Sequence, residues 1–252
     1  MFIYLNELFT LFVNKSILVV KKVAVLSDKN YNFAEERERF AAAVAPYTEA
    51  SVLLTVYDHL DVMRQQELSR AEQQQRTYKL HGLCAIVGCG EAQDRYFRGL
   101  IGHDFFADDS REVSDPKAGS LLEKAMEEDG AILISSQGKL LHSGRLMYLN
   151  NRDEIIKQPE YAHAFDTYNH LRTTRRAGSR HAAAIPLSAV EPKLFVFTLR
   201  SEDPEIRLFN NGYILHSTLA YEGNHPALKK EEASASPERS TAESGLETVC
   251  DC

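Results

Sequence analysis

The sequence contains no tryptophan, only four cysteines, and few glycines and prolines, at 13 and 8 of 252 residues. The low cysteine content excludes a disulfide-stabilised secreted scaffold, and the low glycine and proline content excludes a collagen-like or low-complexity chain. An excess of basic residues is also absent, because 29 Lys and Arg against 36 Asp and Glu give a net charge of −7. We therefore expect no binding to nucleic acid, although a local basic pocket for a small phosphate ligand stays compatible with this charge.

The sequence also has no uninterrupted apolar run of the roughly 18 residues that a membrane span requires. We expect no stable membrane insertion, and the few cysteines favour a reducing, cytoplasmic location. Apolar residues make up 44% of the chain, which is enough for a substantial core. Residues 222–252 carry seven acidic and three basic residues and little to bury, so this segment is expected to be a disordered acidic tail.

Short apolar runs separated by amphipathic stretches predict an α/β fold with a central mixed β-sheet flanked by helices. Asn32 followed by Glu35 predicts a helix that ends before Pro46, and Asp115-Pro116 predicts the start of another. Asn211-Gly212 predicts a type I′ hairpin turn. Strands are predicted at 22–26, 52–57, 84–88, 131–134, 139–144, 193–199, 205–209 and 213–215, a long helix at 60–78, a polar connection at 150–177, and a turn into a helix from 178 onward.

Two short motifs carry residue types suited to phosphate chemistry. Gly178-Ser179-Arg180-His181 stands at a predicted helix start, where backbone N–H groups and a positive side chain form a phosphate site. Asp129-Gly130-Ala131 stands at the entrance to a predicted strand, where an aspartate can hold a divalent metal or accept a proton. Either motif alone is also compatible with an ordinary capping turn or an exposed helix start.

The stretches DGAILIS…GKLLHSGRLMYL and GSRHAAAIPLSAVEPKLFVFTLRSEDPEIRLFNNGYI resemble the diadenylate cyclase domain, the nucleotide-binding domain of the DNA-integrity-scanning protein and of its membrane-bound and archaeal relatives. The resemblance covers about residues 60–219, and the G-[ST]-R-H turn between two matching strands is its more specific part. It suggests a division into a small N-terminal α/β extension (1–58), a diadenylate cyclase-like domain (59–221) and the acidic tail (222–252).

The resemblance implies an enzyme, a nucleotidyltransferase that condenses two ATP into the second messenger cyclic di-AMP and pyrophosphate. It also implies Mn²⁺ or Mg²⁺ and a face-to-face homodimer or higher homo-oligomer. The implied catalytic residues are Asp129, Arg180 and His181; the implied ATP-binding residues are Gly130, Ala131, Leu146, Met147, Leu149, Gly178, Ser179, Arg180 and His181; the implied metal ligands are Asp129, Glu202 and Asp203. In this assignment Leu146, Met147 and Leu149 line the adenine pocket.

The sequence departs from the family pattern at two positions within these motifs. Ala182 stands where the family has a second arginine, which removes one cationic phosphate ligand, and Arg175 or Arg176 could replace it. Pro186 falls inside the following helix, where it is expected to shorten or kink it. The sequence therefore also fits a catalytically impaired nucleotide-binding sensor of the same fold, or a cyclase with a different nucleotide or product.

Overall fold

The computed structural model describes residues 32–74, 82–90, 95–127, 129–149, 154, 157–173, 179–199, 205–219 and 222. The helices in this part of the chain are α1 (Phe33–Val44), α2 (Ala50–Gln73), α3 (Ala118–Glu127), α4 (Ala162–Thr173) and α5 (Ser179–Val190), with a short 3-10 helix at Pro159–Tyr161. The strands are β1 (Leu83–Cys89), β2 (Phe97–Leu100), β3 (Ala131–Ser135), β4 (Leu140–Met147), β5 (Phe195–Leu199), β6 (Ile206–Asn210) and β7 (Tyr213–Ser217).

The strands form one seven-stranded sheet in the order β2-β4-β3-β1-β5-β6-β7. The central pair, β1 and β3, is parallel, and all other neighbours are antiparallel. The parallel pair needs a long connection between its strands, and this connection contains β2 and α3. The predicted fold class, a mixed sheet flanked by helices, is confirmed.

The central strands are buried on both faces because alternate side chains enter two separate cores. Ala85 and Val87 of β1 pack with α1, α2 and α3 on one side of the sheet. Cys84 and Ile86 pack with α4 and α5 on the other side. This two-sided burial explains why β1 is a continuous apolar run rather than an alternating one.

The capping and turn chemistry of the sequence acts where it was expected. The Asn32 Oδ1 atom accepts a hydrogen bond from the Glu35 backbone N–H at 3.2 Å, so α1 begins immediately after Asn32. At the hairpin between β6 and β7, Asn211 and Gly212 have φ angles of 50° and 75°. Two successive positive φ angles are the requirement of a type I′ turn, so that prediction is confirmed.

Two predictions of local structure are wrong, and one is wrong in part. Residues 52–57 are part of α2 rather than a strand, because the buried positions Leu53, Val56, Tyr57 and Leu60 recur every three or four residues. The polar connection at 150–177 contains the helix α4. Of the two effects expected of Pro186, shortening does not occur, because α5 continues to Val190.

The domain limits suggested by the sequence fall within packed structure. α2 runs without interruption across residues 58 and 59. Glu222, expected at the start of the disordered tail, is fully buried, and its carboxylate pairs with the Arg207 guanidinium at 2.8 Å. The folded part of the chain therefore reaches at least Glu222. The strand predicted at 22–26 lies outside the described residues, as does the rest of the tail.

Among the described residues, no helix combines the length and the apolar character that crossing a bilayer demands.

His216 of β7 is a buried histidine without a hydrogen-bond partner for its Nε2 atom in the described part of the chain. Its ring contacts the rings of Phe40 and Tyr57 edge-on, with centroids 5.1 and 5.7 Å away. Burial, and then the nearby positive charges of Arg39 and Arg64, lower the pKa of His216 from 6.5 to about 3. This ring therefore stays uncharged in the folded protein at pH values where it is protonated in the unfolded chain.

The pH dependence of stability should show this difference. Below pH 6.5 the unfolded chain takes up a proton at His216 that the folded protein does not, so stability falls as the pH drops toward 3. We expect the free energy of unfolding to lose about 2 kcal/mol between pH 7.5 and pH 5 through this residue. Urea denaturation of wild type and His216→Gln at both pH values measures the loss as the difference between the two proteins. The exposed His103→Gln is the matched control, and an equal pH dependence in wild type and His216→Gln would refute the prediction.

Candidate functional site

A cleft of about 290 Å³ opens at one edge of the sheet. It lies at the amino ends of the parallel strands β1 and β3, beside the carboxyl end of β4 and the first turn of α5. Ligands of open α/β sheets more often bind at the carboxyl ends of the strands. The lining residues are Cys84, Ile101, Asp129, Gly130, Ala131, Arg145, Leu146, Met147, Arg180 and Ala183.

Asp129 and Arg180 meet in this cleft although they are 51 residues apart in the chain. Asp129 precedes β3, and Arg180 is the second residue of α5. The Arg180 Nη2 atom lies 3.4 Å from the Asp129 Oδ1 atom, and the two side chains are 31% and 78% exposed. A contact this long and this exposed stabilises the fold by about 0–1 kcal/mol, so an incoming anion can take the place of the carboxylate at Arg180.

The Arg180 side chain reaches the cleft through a space that Gly82 leaves open. A Cβ atom on Gly82 would lie 2.4 Å from the Arg180 Nη1 atom and 2.8 Å from Cζ. The φ angle of Gly82 is not positive, so the backbone at this position does not itself require glycine. What excludes a side chain at Gly82 is the position of the guanidinium.

Gly130 is required by a close approach between two backbones. Its φ angle is +109°, and a Cβ atom there would lie 2.6 Å from the carbonyl carbon of Gly144 in β4. Gly144 itself has a φ angle of +66°, and the ladder between β3 and β4 is irregular on both sides of Leu133. The glycine of the Asp-Gly-Ala motif therefore lets β4 pass close to the backbone just before the first residue of β3.

The floor of the cleft is apolar and sulfur-rich. Cys84 and Ala131 are paired neighbours on β1 and β3, and the Cys84 Sγ atom lies 3.7 Å from the Met147 Sδ atom. Burial raises the pKa of the Cys84 thiol to about 12, against a smaller opposing effect of Arg180. The thiol is therefore protonated at neutral pH and belongs to the apolar wall, which Leu146 continues to the surface.

Arg145 is the second cation of the cleft. It follows Gly144 on β4, and its Nη2 atom lies 3.1 Å from the His142 Nδ1 atom. The same Nδ1 atom lies 2.7 Å from the Asp104 Oδ2 atom. Burial acts to raise the pKa of Asp104, but hydrogen bonds from the Ser143 N–H, from His142 and from the Phe106 N–H outweigh it and hold the pKa below its usual range.

His181 lies apart from the residues that line the cleft. Its ring is 2% exposed, and its Nε2 atom is 3.2 Å from the Thr198 Oγ1 atom and 3.1 Å from the Arg207 Nη1 atom. A guanidinium only donates, so Nε2 accepts from Arg207. Arg207 in turn is fully buried and pairs with Glu205 and Glu222. His181 thus fastens α5 to the sheet, and direct contact with a nucleotide stays a prediction.

The structure gathers six of the twelve predicted site residues in one cleft. Asp129, Gly130, Ala131, Leu146, Met147 and Arg180 line the cleft, whereas Leu149 follows β4 and is not among the lining residues. Ser179 is the first residue of α5. Gly178, Glu202, Asp203, Arg175 and Arg176 lie outside the described residues.

The sequence alone did not identify Cys84, Ile101, Arg145 and Ala183 as part of the cleft, nor the role of Gly82. The one usable signal was Gly144-Arg145 inside the hairpin motif, since a glycine within a strand often marks an irregular ladder that redirects its neighbours. The described residues contain no group of three or more His, Cys, Asp or Glu side chains that could hold a metal ion.

No protein-family model matches the chain. No curated protein matches it at a significant level. One similar solved structure is described as the hypothetical membrane spanning protein from Bacillus cereus. The alignment covers 84% of this chain and 94% of the Bacillus cereus chain. The two chains are 16% identical with a TM-score of 0.43, and a similarity this low assigns neither a fold family nor a function.

The close approach at Gly130 predicts a large stability difference between two glycine variants. Gly99 also has a positive φ angle, +57°, but a Cβ atom there meets nothing within 4 Å. We expect Gly99→Ala to lower the free energy of unfolding by about 1 kcal/mol, from backbone strain alone. Gly130→Ala should lose on the order of 3 kcal/mol, because the strain is joined by a clash with the Gly144 backbone. Urea denaturation measures both, and equal losses would show that β4 does not constrain Gly130.

Proposed function

We propose that this protein is a diadenylate cyclase, a cytoplasmic nucleotidyltransferase that converts two ATP into cyclic di-AMP and two pyrophosphates. In each of the two steps the 3′-oxygen of one ATP forms a bond to the α-phosphorus of the other. The bond from that phosphorus to pyrophosphate breaks, and the proton of the hydroxyl leaves with a base. The observation that carries the proposal is the convergence of Asp129 and Arg180 in one cleft with an apolar wall.

The charges of the cleft suit a triphosphate. Arg180 stands in the first turn of α5, where the helix N-terminus also favours negative charge. Within the protein its partner is the exposed Asp129 carboxylate. A phosphate that takes over Arg180 frees this carboxylate at the same moment. Nucleotide binding and preparation of the acidic group are thereby coupled through one exchangeable ion pair.

The released carboxylate suits the second part of the chemistry. Asp129 is 78% exposed at the cleft, so it is accessible to a divalent cation and to the hydroxyl of a bound ribose. Mg²⁺ is usually held by one or two carboxylates together with substrate phosphates, and a single aspartate at this position fits that pattern. Asp129 would hold Mg²⁺ or Mn²⁺, which neutralises phosphate charge and makes the 3′-hydroxyl easier to deprotonate.

The apolar part of the cleft suits an adenine base. Met147 and Ala131 form the floor, and Leu146 and Ile101 stand at the rim with 44% and 45% exposure. Leu100, next to Ile101, is 52% exposed. Half-exposed apolar side chains at the mouth of a cleft favour coverage by a second subunit. This arrangement supports the face-to-face homodimer that ring closure needs.

The reaction itself is the first test. Purified protein is incubated with ATP and Mn²⁺, and the products are separated by chromatography and identified by mass. We expect cyclic di-AMP from the wild type and at least a hundredfold less from Asp129→Asn, because one charged group at the reacting atoms is worth about that factor. Arg70→Gln, on the exposed side of α2, is the control. ATP binding without any product would instead indicate a nucleotide sensor, and a different cyclic product would indicate another nucleotidyl cyclase.

A mixing experiment tests the two-subunit geometry. In the proposed dimer, each bond would use Asp129 on the subunit that holds the attacking ATP and Arg180 on the subunit that holds the attacked ATP. In a mixed dimer of Asp129→Asn with Arg180→Gln, one bond retains both native residues and the other retains neither. We therefore expect the linear dinucleotide triphosphate to accumulate, whereas each variant alone makes almost none. Recovery of the full ring, or no product at all from the mixture, would contradict this division of roles.

A further inference from the structure

Arg145 is a cation of the cleft that no carboxylate neutralises within the described residues. The ion pairs found there include Arg180 with Asp129 but none of Arg145. The Arg145 Nε atom is buried and has no hydrogen-bond acceptor in the same part of the chain. An unsatisfied buried donor is costly to a protein, so this arginine is poised for an acceptor that a ligand brings.

The nearby imidazole does not satisfy Arg145. The His142 Nδ1 atom lies 2.7 Å from an Asp104 carboxylate oxygen, and this carboxylate is held ionised by its hydrogen bonds. An unprotonated Nδ1 at that distance would set two lone pairs against each other, so Nδ1 carries a proton and donates it to Asp104. It therefore has no lone pair for the Arg145 Nη2 atom at 3.1 Å. The imidazole therefore does not satisfy the guanidinium of Arg145, which lines the cleft.

The helix that supplies Arg180 does not supply a second cation. Arg180 and Ala183, three residues apart on α5, both line the cleft. Ala182, the position where the motif lacks its second arginine, is not among the lining residues. Arg145 reaches the cleft from β4. Its ladder partner on β3 is Ala131, two residues after Asp129. The missing charge is thus present at the cleft, on a different element of the fold.

We propose that Arg145 is the second cationic ligand of the polyphosphate in this cleft and takes the role of the arginine absent at position 182. The inference rests on the proposed function in one respect, because it takes the ligand to be a nucleoside triphosphate. Arg180 and Arg145 then hold the phosphate chain between α5 and β4. The guanidinium has a planar fork of donors that matches phosphate oxygens, which a lysine would match less well.

The test separates phosphate recognition from base recognition by varying the number of phosphates. Isothermal titration calorimetry gives the Kd of ATP, ADP and AMP for wild type, Arg145→Gln, Arg145→Lys and the control Arg70→Gln. Arg145→Gln should weaken ATP binding about ten- to a hundredfold, as expected for one charge-assisted contact, and leave AMP binding unchanged. Arg145→Lys should lie between, and Arg70→Gln should match wild type. If Arg145→Gln does not fold, as judged by circular dichroism, the comparison of Arg145→Lys with wild type decides.

Wild-type ATP affinity in Arg145→Gln would overturn the inference, and so would an equal loss for ATP and AMP. The result also separates this inference from the enzymatic proposal. If the wild type binds ATP with the expected dependence on Arg145 but forms no cyclic product, the cyclase proposal fails and the role of Arg145 stands. If the wild type forms cyclic di-AMP and Arg145→Gln binds and turns over ATP equally well, only the role of Arg145 fails. If the wild type binds no adenine nucleotide, both fail.

Discussion

The contact between Asp129 and Arg180 depends on almost every element around it. It needs β3 to begin next to β1, α5 to begin over the same edge of the sheet, and Gly82 to leave room for the guanidinium. The two charges neutralise each other only weakly, because both are partly open to water. A weak internal pair of this kind gives the Arg180 guanidinium a counter-charge within the protein. It also leaves both groups available to a ligand that carries negative phosphates and a metal ion.

The local chemistry of the chain was readable from the sequence. Asn32 and Asn211-Gly212 act through their own backbone geometry, so their helix cap and turn were predicted without knowledge of the fold. The run at 52–57 was not, because its apolar β-branched residues fit a strand or a buried helix equally well. Only the continuation of buried positions along α2 decides between them, and that burial is set by packing against the sheet.

The sequence identified residues of the candidate site only where they lie in a short recognisable motif. Asp129 and Arg180 stand in recognisable motifs, but Arg145 and Cys84 reach the cleft through strand register and an irregular ladder. Such irregularity depends on how two backbones meet in space. His181 shows the reverse case, because its place in a motif suggested contact with the ligand, while its ring lies among buried side chains beside Arg207. Neighbouring motif residues on a helix face different directions, and the sequence does not state which one faces the cleft.

Gly82 has a consequence for comparing this chain with natural variants. Its backbone is ordinary, so alanine at this position would leave the architecture and the thermal stability almost untouched while it displaced a guanidinium from the mouth of the cleft. A variant with alanine there would therefore look intact by every measure of folding and would differ only in its affinity for anions. A single methyl group at position 82 would in this way change the charge at the mouth of the cleft without changing the fold.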